Sequence, residues 1–219
     1  MLNLSPAELV QAVLIVVVSL TFHEYGHSLV AISLGDDTPR REGRLTLNPI
    51  AHIDFVGFIL LVLVGFGWAK PVRIDPRALR KPRRDEILIS LAGPAANLVL
   101  ALVLASLLSL FLHVAEASSG FAAQRLAVGV FNFVTRAVAI NVGLAIFNLL
   151  PLPPLDGSHV ITTWLARFDA ALAATFFRYG SFLLLALIVI ERITNWDILP
   201  VGRWTIGLVL SLYGLVGMG

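Results

Sequence analysis

Long apolar runs separated by short polar stretches set the layout of the chain. The first run covers residues 6–34. Ser5-Pro6-Ala7-Glu8 opens it as a helix: serine is a good N-cap, proline suits the first helical position, and Glu8 completes a capping box. Gly35 is the expected C-cap. At about 1.5 Å per residue this helix is long enough to cross a hydrocarbon core of about 30 Å with some tilt. Residues 86 to about 113 and 125 to about 150 form further spans, with Asp85 a candidate N-cap for the first of them, and shorter apolar runs follow at 176–190 and 200–216. Residues 55–68 differ. They contain Gly57, Gly65 and Gly67 and would reach only about 21 Å as a helix, so a re-entrant or interfacial segment is expected, with a short tilted crossing as the alternative.

The breaks in the pattern carry as much information as the runs. Gly93-Pro94, a few residues into the 86–113 span, should kink it and let another backbone approach closely. Pro151, Pro153 and Pro154 end the 125–150 span while the chain is still apolar. Irregular backbone there has to be buried in protein or line a cavity. A further helix is expected over 157–167. Arg44-Leu45-Thr46-Leu47 is expected as a short extended piece ending at Asn48-Pro49.

Composition agrees with this layout. The 219 residues are 58% hydrophobic and 14% charged, with a mean hydropathy of +0.87, against about 25% charged residues in soluble domains. The chain is therefore expected to be an all-α integral membrane protein with about five to six transmembrane helices. It should form a single domain over 1–219, with a core at about 6–160 and C-terminal helices at about 173–218. There are no cysteines, which excludes disulfides and thiolate metal sites. No signal peptide is expected, since the N-terminus has neither a charged leader nor a cleavage site. The pI of about 9.4 comes from basic loops beside apolar runs and points to membrane topology, not to nucleic acid. Arg40, Arg41 and Arg44 lie in one such loop. Lys70, Arg73, Arg77, Arg80, Lys81, Arg83 and Arg84 lie in the next. Loops 36–86 and 151–175 are expected in the cytoplasm and the N-terminus outside.

Candidate chemistry sits in the first run. His23 and His27 are four apart, so both imidazoles share one helix face and can reach one metal ion. Glu24, beside the first histidine, can serve as a general base without taking a coordination site. Ionisable groups at bilayer depth are costly without partners or a function. By helix rise, the pair lies roughly 12–18 Å in from the helix's C-terminal end. A catalytic zinc site uses three protein ligands and keeps a position open. His113, Glu116 and Glu191 fall near the opposite face. His159, Asp169, His52 and Asp54 are on the correct side but interfacial, which leaves Asp156, in the proline-broken stretch, as the best third ligand. Asn148 is a candidate donor to a substrate carbonyl or its oxyanion. Asn97, at matching depth, and His52 are candidates for a similar role. The bland alternatives are interhelical hydrogen bonding for the asparagines and an interfacial position for His52. Trp68 and Lys70 suit the interface and are candidates to bound an entrance.

Three stretches carry a family resemblance: His23-Glu24-Tyr25-Gly26-His27, Ser90-Leu-Ala-Gly93-Pro94-Ala-Ala-Asn97 and Asn148-Leu-Leu-Pro-Leu-Pro-Pro-Leu-Asp156-Gly157. With Asn48-Pro49…His52-Ile-Asp54 and Gly67-Trp-Ala-Lys-Pro71, the sequence resembles the short prokaryotic form of the site-2 protease family of intramembrane zinc metalloproteases, peptidase family M50. The resemblance spans roughly residues 20–160. It implies one zinc ion per chain on His23, His27 and Asp156, with Glu24 as base and Asn148 handling substrate. It also implies hydrolysis of a peptide bond in or near the transmembrane segment of a membrane-anchored substrate, such as a transcription regulator, an anti-sigma factor or a leftover signal peptide. The prokaryotic plasma membrane is the expected location, with the active site nearer the cytoplasmic face. The chain lacks the inserted domain of larger members. The competing functions are a transporter or channel with a metal site, and a catalytically inactive relative that binds membrane partners.

Overall fold

The computed structural model describes residues 5–64, 67–116, 121–194 and 196–218. Residues 65–66 of the short apolar segment and 117–120 of the stretch after the third run lie outside the described residues. The helices are α1 (Pro6–Ser33), α2 (Thr38–Arg41), α3 (Phe55–Val64), α4 (Pro82–Glu116), α5 (Phe121–Asn148), α6 (Ser158–Leu165), α7 (Ala170–Thr194) and α8 (Val201–Leu215). Four of them, α1, α4, α5 and α7, are long and apolar enough to cross a membrane, and α8 is a shorter apolar helix. The chain is an all-α membrane protein of about five spanning helices. The capping box of α1 forms as expected: Ser5 N–H donates to Glu8 Oε2 at 2.9 Å and Glu8 N–H to Ser5 Oγ at 3.3 Å.

Helix α4 is the centre of the bundle, packed along both α1 and α5, and α8 lies mainly against α5. Ala101 and Ala105 of α4, Val138 and Val142 of α5 and Val209 of α8 form the main apolar core. Alanines at this seam let the helix backbones come close, which is how helices associate without a hydrophobic driving force from lipid. Val10, Leu14, Leu102, Leu107, Leu110, Leu126 and Leu185 point outward. In water such faces would make one large apolar patch, and a lipid surrounding removes that cost.

Several boundaries differ from the sequence pattern. Helix α4 begins three residues before Asp85, and that carboxylate reaches back to accept from Lys81 N–H at 2.8 Å, so Asp85 sits inside the first turns and is not the N-cap. Helix α7 runs well beyond 176–190 at both ends. Residues 45 and 46 form a bend within an irregular stretch, and a 3₁₀ turn at Pro49–Ala51 follows. The extended piece expected there is absent, because Arg44 is not a solvated loop charge. Its guanidinium is buried and donates to the carbonyls of Ala51 and Lys70.

That arginine holds together the two ends of the short apolar segment. Ile53 and Ala69 form an antiparallel bridge, and Lys70 N–H donates to His52 O at 2.8 Å. A segment whose entry and exit are hydrogen-bonded to each other leaves on the side it entered. Helix α3, with ten residues, extends about 15 Å, half of a hydrocarbon core. This is the geometry expected of a re-entrant segment.

Candidate metal centre

Helix α1 is helical through residues 23–27, so His23 and His27 stack one turn apart. Their ring centroids are 4.7 Å apart and their planes cross at 83°. Asp156 is delivered by a different device. After α5 ends at Asn148, the chain makes a proline-rich loop, and Gly157 N–H returns to donate to Asn148 O at 2.7 Å. Only glycine fits there: a Cβ at 157 would lie 2.3 Å from Leu149 O. The closed loop presents Asp156 to the two histidines, with Asp156 Oδ2 3.1 Å from His23 Nε2 and Oδ1 3.5 Å from His27 Nε2. The two Nε2 atoms are 3.1 Å apart.

The hydrogen bonds behind the rings define what the front can do. His23 Nδ1 is 2.7 Å from Asn97 Oδ1, and His27 Nδ1 is 2.7 Å from Ile89 O. Both partners are acceptors, so each imidazole donates from Nδ1, and a neutral ring then presents a lone pair at Nε2. Two lone pairs and a carboxylate therefore face one another, and Asp156 Oδ2 is buried with no hydrogen-bond donor. A cation placed between them is attracted by all three. The space is kept open by Gly93 of α4, where a Cβ would fall 2.3 Å from His27 Nε2 and 2.6 Å from His23 Nε2. The three ligand atoms lie within 4.8 Å of one another. Two imidazoles, one carboxylate and room for a further ligand match the donor set of a catalytic zinc site.

Glu24 is buried beside the histidines and accepts from Val72 N–H at 3.1 Å. Val72 belongs to the irregular stretch that follows Ala69. This loop is anchored by Asp36, beyond the end of α1, whose carboxylate accepts from Thr38 N–H at 2.9 Å and Asp75 N–H at 2.8 Å. Burial of Asp36 raises its pKa, but the hydrogen bonds from Thr38 and Asp75 outweigh it and hold the carboxyl below its usual value. A cavity of about 370 Å³ opens onto the group, lined by Glu24, His27, Val72, Glu86, Asp156 and His159 among others.

The remaining sequence candidates separate. Asn97 is fully buried, and its amide is spent: Oδ1 on His23, Nδ2 on Ser19 O at 3.0 Å and on Asn141 Oδ1 at 2.8 Å. It stands behind His23, with its amide groups engaged within the bundle. Asn141 continues the network to Ser19 Oγ at 2.9 Å and Ala137 O at 2.9 Å. His52 is also elsewhere. Its Nε2 donates to Thr46 O at 2.8 Å, and the ring packs beside the re-entrant segment, outside the cavity lining. Asn148 remains half-buried where α5 meets the loop, donating to Leu144 O at 3.0 Å. The sequence reading did not find Val72, because a backbone amide leaves no mark in residue types. It also left Ser19 and Asn141 without a role, although two polar residues in apolar runs are a detectable signal.

A family model for peptidase family M50 matches residues 11–190. The chain is 40% identical over 194 residues to YwhC of Bacillus subtilis, named as a zinc metalloprotease, an alignment covering 87% of this chain and 86% of that protein. Rip2 of Mycolicibacterium smegmatis, also named as a zinc metalloprotease, is 29% identical over 184 residues, covering 81% of this chain and 66% of Rip2. The Mycobacterium tuberculosis protein of the same name is 28% identical over 190 residues, with 82% and 66% covered. No solved structure matches the chain.

Proposed function

The chain belongs to peptidase family M50 and is a zinc metalloprotease of the membrane, and we propose that it hydrolyses a peptide bond in or near the transmembrane segment of membrane-anchored proteins. The observation that carries this reading is the convergence of His23, His27 and Asp156 inside the helix bundle, with Glu24 on the wall of the same cavity. In this reading the three residues hold one zinc ion per chain. Bound zinc supplies a Lewis acid for the scissile carbonyl and acidifies water at neutral pH.

The chain's own groups do the rest. Glu24 takes the proton of the attacking water and delivers it to the leaving amine. The Val72 amide fixes the rotamer of that carboxylate. Asn97 and Ile89 hold the two imidazoles in the tautomer that keeps Nε2 free, as partners of metal-bound histidines generally do. Asn148, the last residue of α5, turns its amide from Leu144 O to the substrate carbonyl. The basic loops at residues 40–44 and 70–84 support a site nearer the cytoplasmic face of a prokaryotic plasma membrane. The test is cleavage of a model transmembrane substrate by the purified protein in detergent. Cleavage inside or beside the substrate's apolar segment, abolished by chelation and restored by zinc, is expected. Cleavage confined to soluble peptides would overturn the substrate assignment.

A further inference from the structure

Away from the metal centre, an open cleft of about 650 Å³ lies at the start of α4 and the turn after α6. Lys81, Arg83, Arg84 and Arg167 line it together with Ile87 and Leu88. All four basic side chains are exposed, and among the described residues none is in an ion pair; the arginines that are so paired are Arg40, Arg73, Arg136 and Arg203. The nearby acids are occupied. Asp85 is 2% exposed and bonded to Lys81 N–H. Glu86 lines the metal cavity instead. Asp169 accepts from Ala171 and Leu172 N–H in the first turn of α7.

A cluster of unneutralised cations at the foot of a spanning helix, joined to apolar wall, is complementary to one kind of molecule: an anion attached to a hydrocarbon chain. Beside the cleft, Trp164 and Phe168 stack edge-on with ring centroids 5.1 Å apart, both exposed. Exposed aromatic rings of this kind sit at the headgroup level of a bilayer. Arginine guanidinium groups match phosphate oxygens in a fork, and basic pockets between spanning helices hold acidic headgroups. We propose that this cleft is a binding site for the phosphate headgroup of an anionic phospholipid, with an acyl chain lying along Ile87 and Leu88.

The position gives the site a consequence. Helix α4 carries Ile89, whose carbonyl holds His27, and α6 directly follows Asp156. A lipid phosphate bridged between Arg83 or Arg84 on α4 and Arg167 after α6 ties together the two elements that flank the metal ligands. The full-length protein, purified in detergent and incorporated into bilayer discs of phosphatidylcholine with an equal part of phosphatidylglycerol, should retain phosphatidylglycerol on gentle extraction, read by native mass spectrometry. The pair Arg83→Gln and Arg84→Gln, and Arg167→Gln separately, should each lose it, the pair by roughly tenfold or more in relative affinity. All these side chains are exposed, so folding is not at risk. Arg77→Gln with Arg80→Gln removes the same charge from the same loop outside the cleft and should leave retention unchanged. Equal loss in both pairs would mean a diffuse charge effect and would overturn the site, as would no loss in the cleft variants. Displacement of the lipid by millimolar inorganic phosphate alone would show a free-phosphate site and overturn the lipid assignment.

Discussion

At the scale of single residues, the roles around the metal centre separate by what each variant keeps. Glu24→Gln leaves all three ligands in place, so zinc content should stay stoichiometric while hydrolysis falls by about 10²–10⁴-fold, the usual contribution of a positioned base. Metal analysis and a cleavage assay on one sample check both halves, and full activity in that variant would remove Glu24 from its role. Asp156→Ala should lose zinc together with activity, whereas Asp169→Ala and Glu191→Ala should lose neither; a variant at 156 that holds zinc as tightly as the native chain would mean another residue is the ligand. Asn97→Ala tests the partner of a ligand. It frees His23 to rotate and to take the wrong tautomer, and zinc affinity should drop by about 10–100-fold, measured by competition with a chelator of known strength. Unchanged affinity would reduce Asn97 to packing.

At the scale of elements, the two devices to test are the re-entrant segment and the loop it feeds. Single cysteines replacing Arg41 and Arg80 should both react with a membrane-impermeant thiol reagent from the same face of sealed, oriented vesicles, since the native chain has no cysteine to interfere. Opposite faces would contradict the pairing of Ile53 with Ala69. The loop is pinned by Asp36, and Asp36→Ala leaves the Thr38 and Asp75 amides without their acceptor, a loss of about 1–3 kcal/mol where the groups are buried. The sign of the pH effect follows from the lowered pKa: the pin is intact above the ordinary carboxylate range and is lost as pH falls through the native value. Hydrogen exchange at the Asp75 amide should therefore quicken in acid in the native chain and be fast at all pH in the variant. The pattern of apolar runs made the spans legible and set the short segment at 55–68 apart from them. It did not make the pin or the Arg44 tie legible, because one charged residue in a basic loop looks like every other until its partners are known.

At the scale of the whole molecule, the metal centre joins pieces far apart in the chain. His23 and His27 come from α1, Asp156 from the loop between α5 and α6, and the supporting Asn97, Gly93 and Ile89 from α4. The three residues of the candidate metal group stood out in the sequence because each is expensive at membrane depth and its spacing or setting is rare. Gly93 was legible only as a site of close approach, since a glycine does not announce which side chains will occupy the space its missing Cβ leaves. This arrangement has a thermodynamic consequence. Two imidazole Nε2 atoms and a carboxylate confront one another at 3.1–3.5 Å where α1, α4 and the 149–157 loop meet, an arrangement that a bound cation stabilises. Zinc binds the folded state preferentially and stabilises it by mass action, by about 4 kcal/mol when free zinc is a thousandfold above its dissociation constant. Chelation should lower the unfolding temperature of the detergent-solubilised protein, and restoring zinc should raise it again. Asp156→Ala removes the charge from the confrontation, so its unfolding temperature should respond weakly to either treatment. Glu24→Gln should respond as the native chain does. Thermal unfolding followed with and without chelator in the three proteins decides the matter: an equal response in native and Asp156→Ala would mean that the metal stabilising the fold is not held by this group.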